Sequence, residues 1–205
     1  MDRIAAHVAT AAVALALFAA PSLAADHSAT AAACAKNLAP LIDPAKLATL
    51  GKRGANPRVQ KAVYWLSIAA SNSAQPTQVL DIALKAVAMK GEAAALTKQA
   101  LLRDLDIASK LGCLDTEGLG EMRRGKAPTV RCGPYAGDQL SVDHIIPRAV
   151  CPELDNVIAN LELMPMRMNS SKSDKIGARQ LDLARKLYSA GLLSAEGKRK
   201  LQNQP

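Results

Sequence analysis

An α+β fold, mostly helical, is predicted by three features of the sequence. Residues 26–125 carry apolar side chains at helical spacing in one segment after another, punctuated by Pro and Gly. Residues 139–146 change to the β-branched and apolar run of a strand, which Pro147 stops. Aromatic residues are only 2% of the chain, while an apolar fraction of 49% rests largely on Ala and Leu, which suits packed helices. At 205 residues the chain has room for one domain or a small pair.

The first 24 residues read as a secretory leader. Arg3 supplies a small positive start, residues 8–20 an apolar run, Pro21 a break, and Ser22-Leu23-Ala24 the small residues a signal peptidase reads. Cleavage is expected after Ala24. The apolar run is short for a membrane span, and no cysteine adjoins the cleavage point. The expected location is therefore periplasmic or secreted, with no stable membrane anchor.

Residues 25–120 form the expected helical region. Residues 37–50 place Leu38, Leu41 and Ile42 at helical spacing, with Leu47 and Leu50 beyond. Asn56-Pro57 is a helix start, followed by a stripe of Val63, Leu66 and Ala70. Gln75-Pro76 opens a segment with Val79, Leu80, Ala83, Leu84 and Val87 in phase, and residues 92–111 give another that ends at Gly112. These stripes read as packed core. No nucleotide-binding loop, haem motif or exact repeat is present. Such a region can pack on the rest of the chain or take a protein partner, and both readings stay open.

Residues 117–134, EGLGEMRRGKAPTVRCGP, read as a boundary loop. Arg123 and Arg124 there are candidates for contact with a nucleic-acid backbone; a solvated basic loop is the equally simple alternative. Residues 175–191 predict an amphipathic helix, and Ser194 the start of a short last one. The Lys198-Arg199-Lys200 run reads as solvated tail, residues 191–205.

The chemistry-bearing stretch is residues 141–174, SVDHIIPRAVCPELDNVIANLELMPMRMNSSKSD. It sets an Asp-His pair, Asp143-His144, before Ile145-Ile146-Pro147, then Asn160-Leu161, then Asn169 and Lys172. On a helix started near Pro165, Asn169 and Lys172 share a face. Neutral imidazole accepts a proton near pH 7, so His144 is the candidate general base. Asp143 and Asn169 offer hard oxygen ligands, suited to Mg²⁺ first and Mn²⁺ second.

The order D-H-I-I-P, N-L, N-x-x-K resembles the HNH, or ββα-metal finger, endonucleases. The likeness covers roughly residues 130–180, with Asn169 in place of the final His, an HNN variant. It implies a core of two strands and a helix in residues 121–190. It also implies hydrolysis of phosphodiester bonds, with DNA ahead of RNA as substrate. His144 would activate water, Asn160 would fix the loop that holds it, and Lys172 would contact phosphate. Two residues compete for the middle Asn; Asn160 is nine before Asn169, the interval the family keeps, which leaves Asn156 as a turn residue. Arg148 and Arg167 are weaker candidates for neighbouring phosphates. The paired C-x-x-C motifs of many relatives are absent, so a structural zinc is not expected.

All four cysteines, Cys34, Cys113, Cys132 and Cys151, lie after the leader, and export predicts two disulfides. Of three pairings, Cys132 with Cys151 is favoured because both flank the first strand, which leaves Cys34 with Cys113. The formal net charge is +8. Residues 25–120 carry 11 basic and 8 acidic side chains, and residues 121–205 carry 14 and 9, so the excess leans toward the motif. The alternatives to an exported nuclease are a basic nucleic-acid-binding protein without cleavage, a nuclease toxin, and a protein whose helical region binds a partner.

Overall fold

The computed structural model describes residues 23–171 and 175–203. The architecture is α+β and mostly helical, with a two-stranded antiparallel sheet. The expected leader lies outside the described residues except for Leu23 and Ala24, which begin α1 (Leu23–Ile42). Then follow α2 (Pro44–Leu47), α3 (Asn56–Ser71), α4 (Pro76–Ala86), α5 (Gly91–Lys110) and α6 (Thr116–Arg123). The strands are β1 (Leu140–His144) and β2 (Leu161–Pro165), and α7 (Met166–Ser171), α8 (Ala178–Ser189) and α9 (Ala195–Gln202) complete the chain. Among the described residues no helix is long and apolar enough to cross a membrane.

Local chemistry sets these ends. Pro44, Pro57 and Pro76 stand in the first turns of α2, α3 and α4, where an N–H has no helical partner to lose. Asp43 and Ser194 cap α2 and α9 by accepting the amides of Ala45 (3.0 Å) and Gly197 (2.9 Å). The expected helix over residues 37–50 is divided, because Pro44 starts a new one. Residues 117–123, expected as loop, are helical. Asp115 caps them through Oδ1 to the Gly118 amide at 2.6 Å, and Leu119 and Met122 follow at helical spacing. Gly118 reads as a loop residue but is required by close approach: a Cβ there would lie 2.1 Å from the Cys113 carbonyl oxygen.

One core joins the helices to the sheet. α1 packs on α3 and α4, and α5 packs on β2. Leu38, Ile42, Val63, Leu66, Leu80 and Leu101 share a buried cluster with Val130, Leu140, Leu161 and Leu163. Each such side chain contributes about 1.5–3 kcal/mol on burial, so the helical region is the floor on which the sheet rests. A second cluster of Ile146, Leu154, Leu187, Leu193 and Leu201 packs α8 and α9 on the segment after β1. The last residues are thus more than solvated tail: Leu201 is buried, and the Lys198 ammonium stands 4.1 Å from the Tyr188 ring centre.

The sheet runs Leu140↔Pro165, Ser141↔Met164, Val142↔Leu163, Asp143↔Glu162 and His144↔Leu161. This register puts Asp143 and His144 at the end of β1 beside the start of β2, and α7 leaves the far end of β2 directly. Pro165 closes β2 rather than opening the helix, so α7 begins one residue later than expected.

Candidate active site

A cavity of about 550 Å³ opens where β1 and α7 face the start of α3. One wall carries Ser141, Asp143, His144 and Asn169, and the other Arg53, Asn56 and Gln60. Asp143 and His144 are each 8% exposed. The sequence-predicted Asp143, His144 and Asn169 are therefore brought together in one cavity.

His144 is held by a residue the sequence reading passed over. Its Nε2 lies 2.9 Å from Asp155 Oδ1 and 3.0 Å from the Asp155 carbonyl oxygen. Two acceptors at one ring nitrogen require that nitrogen to carry the proton, so Nδ1 is the basic atom of the imidazole. Asp155 Oδ2 in turn accepts the Arg53 amide at 3.1 Å. Asn156, read as a turn residue, is a clamp: its Oδ1 accepts from the Ala55 amide at 3.0 Å, and its Nδ2 donates to the carbonyls of Leu50 (3.1 Å) and Gly51 (3.2 Å). Segment 50–55 is thereby fixed against the motif, and Arg53 takes a left-handed conformation, φ +55°.

Asn160 is fully buried and ties the chain after His144 in place. Its Oδ1 accepts from the Ile146 amide at 2.8 Å, and its Nδ2 donates to the carbonyls of Ile146 (3.1 Å) and Leu154 (3.4 Å). The Asn160 backbone carbonyl accepts the Ile145 amide at 2.8 Å. A carboxamide suits this place because both its donor and its acceptor meet the backbone of one residue.

Asn169 donates from Nδ2 to Ser141 Oγ at 3.2 Å, and Ser141 Oγ donates to the Met164 carbonyl at 3.0 Å. This chain commits the amide nitrogen to Ser141, so that Oδ1 is the atom that could meet a cation. Across the cavity, Asn56 Oδ1 and Gln60 Oε1 are buried without a hydrogen-bond partner among the described residues, while Gln60 Nε2 donates to the Leu140 carbonyl at 2.8 Å. Oxygen acceptors facing Asp143 suit a hard cation with its water shell. Among the described residues no three His, Cys, Asp or Glu side chains group as a metal site. A cation here would rest on Asp143 and Asn169, with water and substrate oxygens completing the set.

Behind the wall lies an ionic layer. Glu162, opposite Asp143 in the register, accepts both terminal nitrogens of Arg179, at 3.0 and 2.6 Å. These bonds hold the Arg179 guanidinium above its ordinary pKa, and the Asp143 charge adds to the shift. Asp104 on α5 accepts the Leu163 amide at 3.2 Å and is 0% exposed. Burial pushes its carboxyl up to about 7, against the lowering charge of Arg103 and the Leu163 amide.

The remaining candidates are placed differently. Arg148 lines a separate cavity with Leu47, Lys52 and Asn156. Arg167 is engaged at the rim: its amide donates to Asp138 Oδ2 at 2.7 Å, and its guanidinium lies 5.7 Å from the Tyr135 ring centre. That amide bond is the main reason the Asp138 carboxyl sits below its ordinary range. Arg124 pairs with Glu121 at 2.5 Å at the end of α6, and Arg123 is exposed beside it; neither lines the cavity. Lys172 lies outside the described residues. No disulfide joins Cys34, Cys113, Cys132 and Cys151 in this structure. The fold does not join them as expected: Cys132 stands at the turn after α5, whereas Cys151 is buried in the second cluster and donates to Glu153 Oε1 at 3.7 Å.

Asp155, Arg53, Asn56, Gln60 and Ser141 had not been singled out. Ser141 could have been found from its alternation with Asp143 on one strand face. Asp155 stands in the motif stretch beside Asn156, but nothing in its spacing ties it to His144; Arg53, Asn56 and Gln60 meet the motif only in space. No family model, curated protein or solved structure matches the chain.

Proposed function

We propose that the chain is an exported, metal-dependent endonuclease of the HNH type that hydrolyses phosphodiester bonds, with DNA as the first substrate and RNA the second. The observation that carries this reading is the meeting of Asp143, Asn169 and a His144 locked as the Nε2–H tautomer in one open cavity, with Arg53 on the facing wall. Mg²⁺, or Mn²⁺ in its place, would be held by Asp143 and Asn169. When bound it supplies charge stabilisation at the phosphate and at the leaving oxygen.

The chain's own residues do the rest. His144 Nδ1 takes the proton of the attacking water, and Asp155 steadies the imidazolium that results. Asn160 keeps His144 at its angle by fixing Ile145 and Ile146. Arg53 grips a substrate phosphate by its charge. The basic excess of the motif half supports a polyanionic partner, and the leader read in residues 1–24 supports action outside the cytoplasm.

The test is nicking of supercoiled plasmid by residues 25–205 with Mg²⁺, with Mn²⁺ and with chelator, beside His144→Ala. Metal-dependent nicking that falls at least 1,000-fold in His144→Ala is expected. Intact DNA and intact RNA under every metal, with binding retained, would replace the nuclease by a nucleic-acid-binding protein.

A further inference from the structure

The end of α5 brings two cysteines to one turn. Gly112 takes φ +68°, and the amides of Gly112 and Cys113 return to the carbonyls of Ser109 (3.0 Å) and Ala108 (2.9 Å). This turn buries Cys113 completely. The Leu111 carbonyl accepts the amides of Arg131 (2.9 Å) and Cys132 (3.1 Å), and Cys113 Sγ lies 3.7 Å from the same oxygen. Cys132 Sγ packs against the same turn: a Cβ at Gly112 would stand 2.8 Å from the sulfur, and the Cys132 thiol is near enough to act electrostatically on Cys113. A side chain at 112 would collide with Cys132 Sγ and Arg131, so glycine lets residues 131–132 lie close on the turn that carries Cys113.

We propose that Cys113 and Cys132, gathered on the Leu111–Gly112 turn, form a disulfide that clips the segment leading into β1 to the end of α5. This proposal rests on the turn alone and is independent of the nuclease reading. Cys34 and Cys151 remain thiols, one buried on α1 and the other held by Glu153.

The oxidant is an external disulfide, R–S–S–R, either small or carried by a protein. Cys132 is exposed. Its thiolate attacks one sulfur of R–S–S–R and expels RS⁻, giving a mixed disulfide. Cys113 then loses its proton, attacks the Cys132 sulfur and expels the second RS⁻. Two thiols lose two electrons and two protons, and the external disulfide gains them as two RSH. Burial, with the charge of Asp115, pushes the Cys113 thiol up to about 11, so the closing step quickens as pH rises.

The experiment oxidises the reduced chain (residues 25–205) with excess oxidised glutathione, alkylates it in denaturant and maps its peptides. The expected result is a Cys113 peptide linked to a Cys132 peptide, with Cys34 and Cys151 alkylated. Reductant should then lower the melting temperature by roughly 5–10 °C. Cys132→Ser should lose that shift, and Cys151→Ala should keep it; circular dichroism checks that both fold. Four alkylated cysteines after oxidation, a glutathione adduct on Cys132 without closure, or a link from Cys132 to another cysteine would each overturn the proposal.

Discussion

The two walls of the candidate site are built on opposite principles. On the motif wall nearly every polar atom has a use: Asn160 satisfies the backbone of Ile146, Asp155 holds His144, and Ser141 orients Asn169. On the helical wall Asn56 Oδ1 and Gln60 Oε1 are buried without donors among the described residues, and Arg53 stands in a left-handed conformation. A satisfied wall is rigid and defines geometry. An unsatisfied one stores binding capacity, because its groups have already lost water and gain fully from a partner. Under the nuclease reading proposed above, the motif wall suits the chemical step, and the helical wall suits capture of the substrate.

The largest test of this division is at Asp155, which belongs to both walls. Asp155→Asn keeps an acceptor for the Arg53 amide but no longer balances the charge of the imidazolium. It should lower kcat about 100-fold with little change in melting temperature. An unchanged kcat would remove Asp155 from the chemistry.

Next comes Arg53. Arg53→Ala should raise KM about tenfold and leave kcat within about threefold, and the loss should shrink as salt is raised. Arg53→Lys should recover part of the affinity. Steady-state kinetics at two salt concentrations decide it; a fall confined to kcat would move Arg53 to the other wall's task.

The smallest effect concerns the support behind β2. Asp104 has a folded-state pKa of about 7, above its ordinary 3.8. The folded chain therefore binds this proton more tightly than the unfolded one. Stability from this group is full below about pH 4 and is lost as pH rises toward 7. Asp104→Asn retains the acceptor for Leu163 and should erase that slope, raising the melting temperature at pH 8 by roughly 3–5 °C. Thermal melts from pH 5 to 8 check it, and a slope that persists in the variant would place its origin elsewhere.

What was legible in the sequence follows the same line. The strand ending at His144, the pairing role of Asn160 and the position of Asn169 could be read because they lie in one short stretch with distinct residue types. Helix starts were readable from Asn56-Pro57, Gln75-Pro76 and Ser194, whereas Pro44 was hidden inside what read as one longer helix. Gly118 misled, because glycine in a helix looks like a loop until the Cys113 carbonyl that demands it is seen. Arg148 follows Pro147 out of the strand and so faces another cavity, which charge alone could not reveal. The helical wall was unreadable: Arg53 and Ala55 meet the motif through backbone bonds spanning about a hundred residues of chain.

Those long bonds have a kinetic consequence. The Arg53 amide meets Asp155 across 102 positions, and the Ala55 amide meets Asn156 across 101. Pairings of such sequence separation form late, since a long loop must close before they return any energy. The cavity is therefore completed only when the early helices and the late strands have found one another, and a chain stopped short of residue 155 lacks the bonds that position Arg53. Completion of the site is timed by folding itself: until the chain folds, Arg53 and Asp155 stay apart.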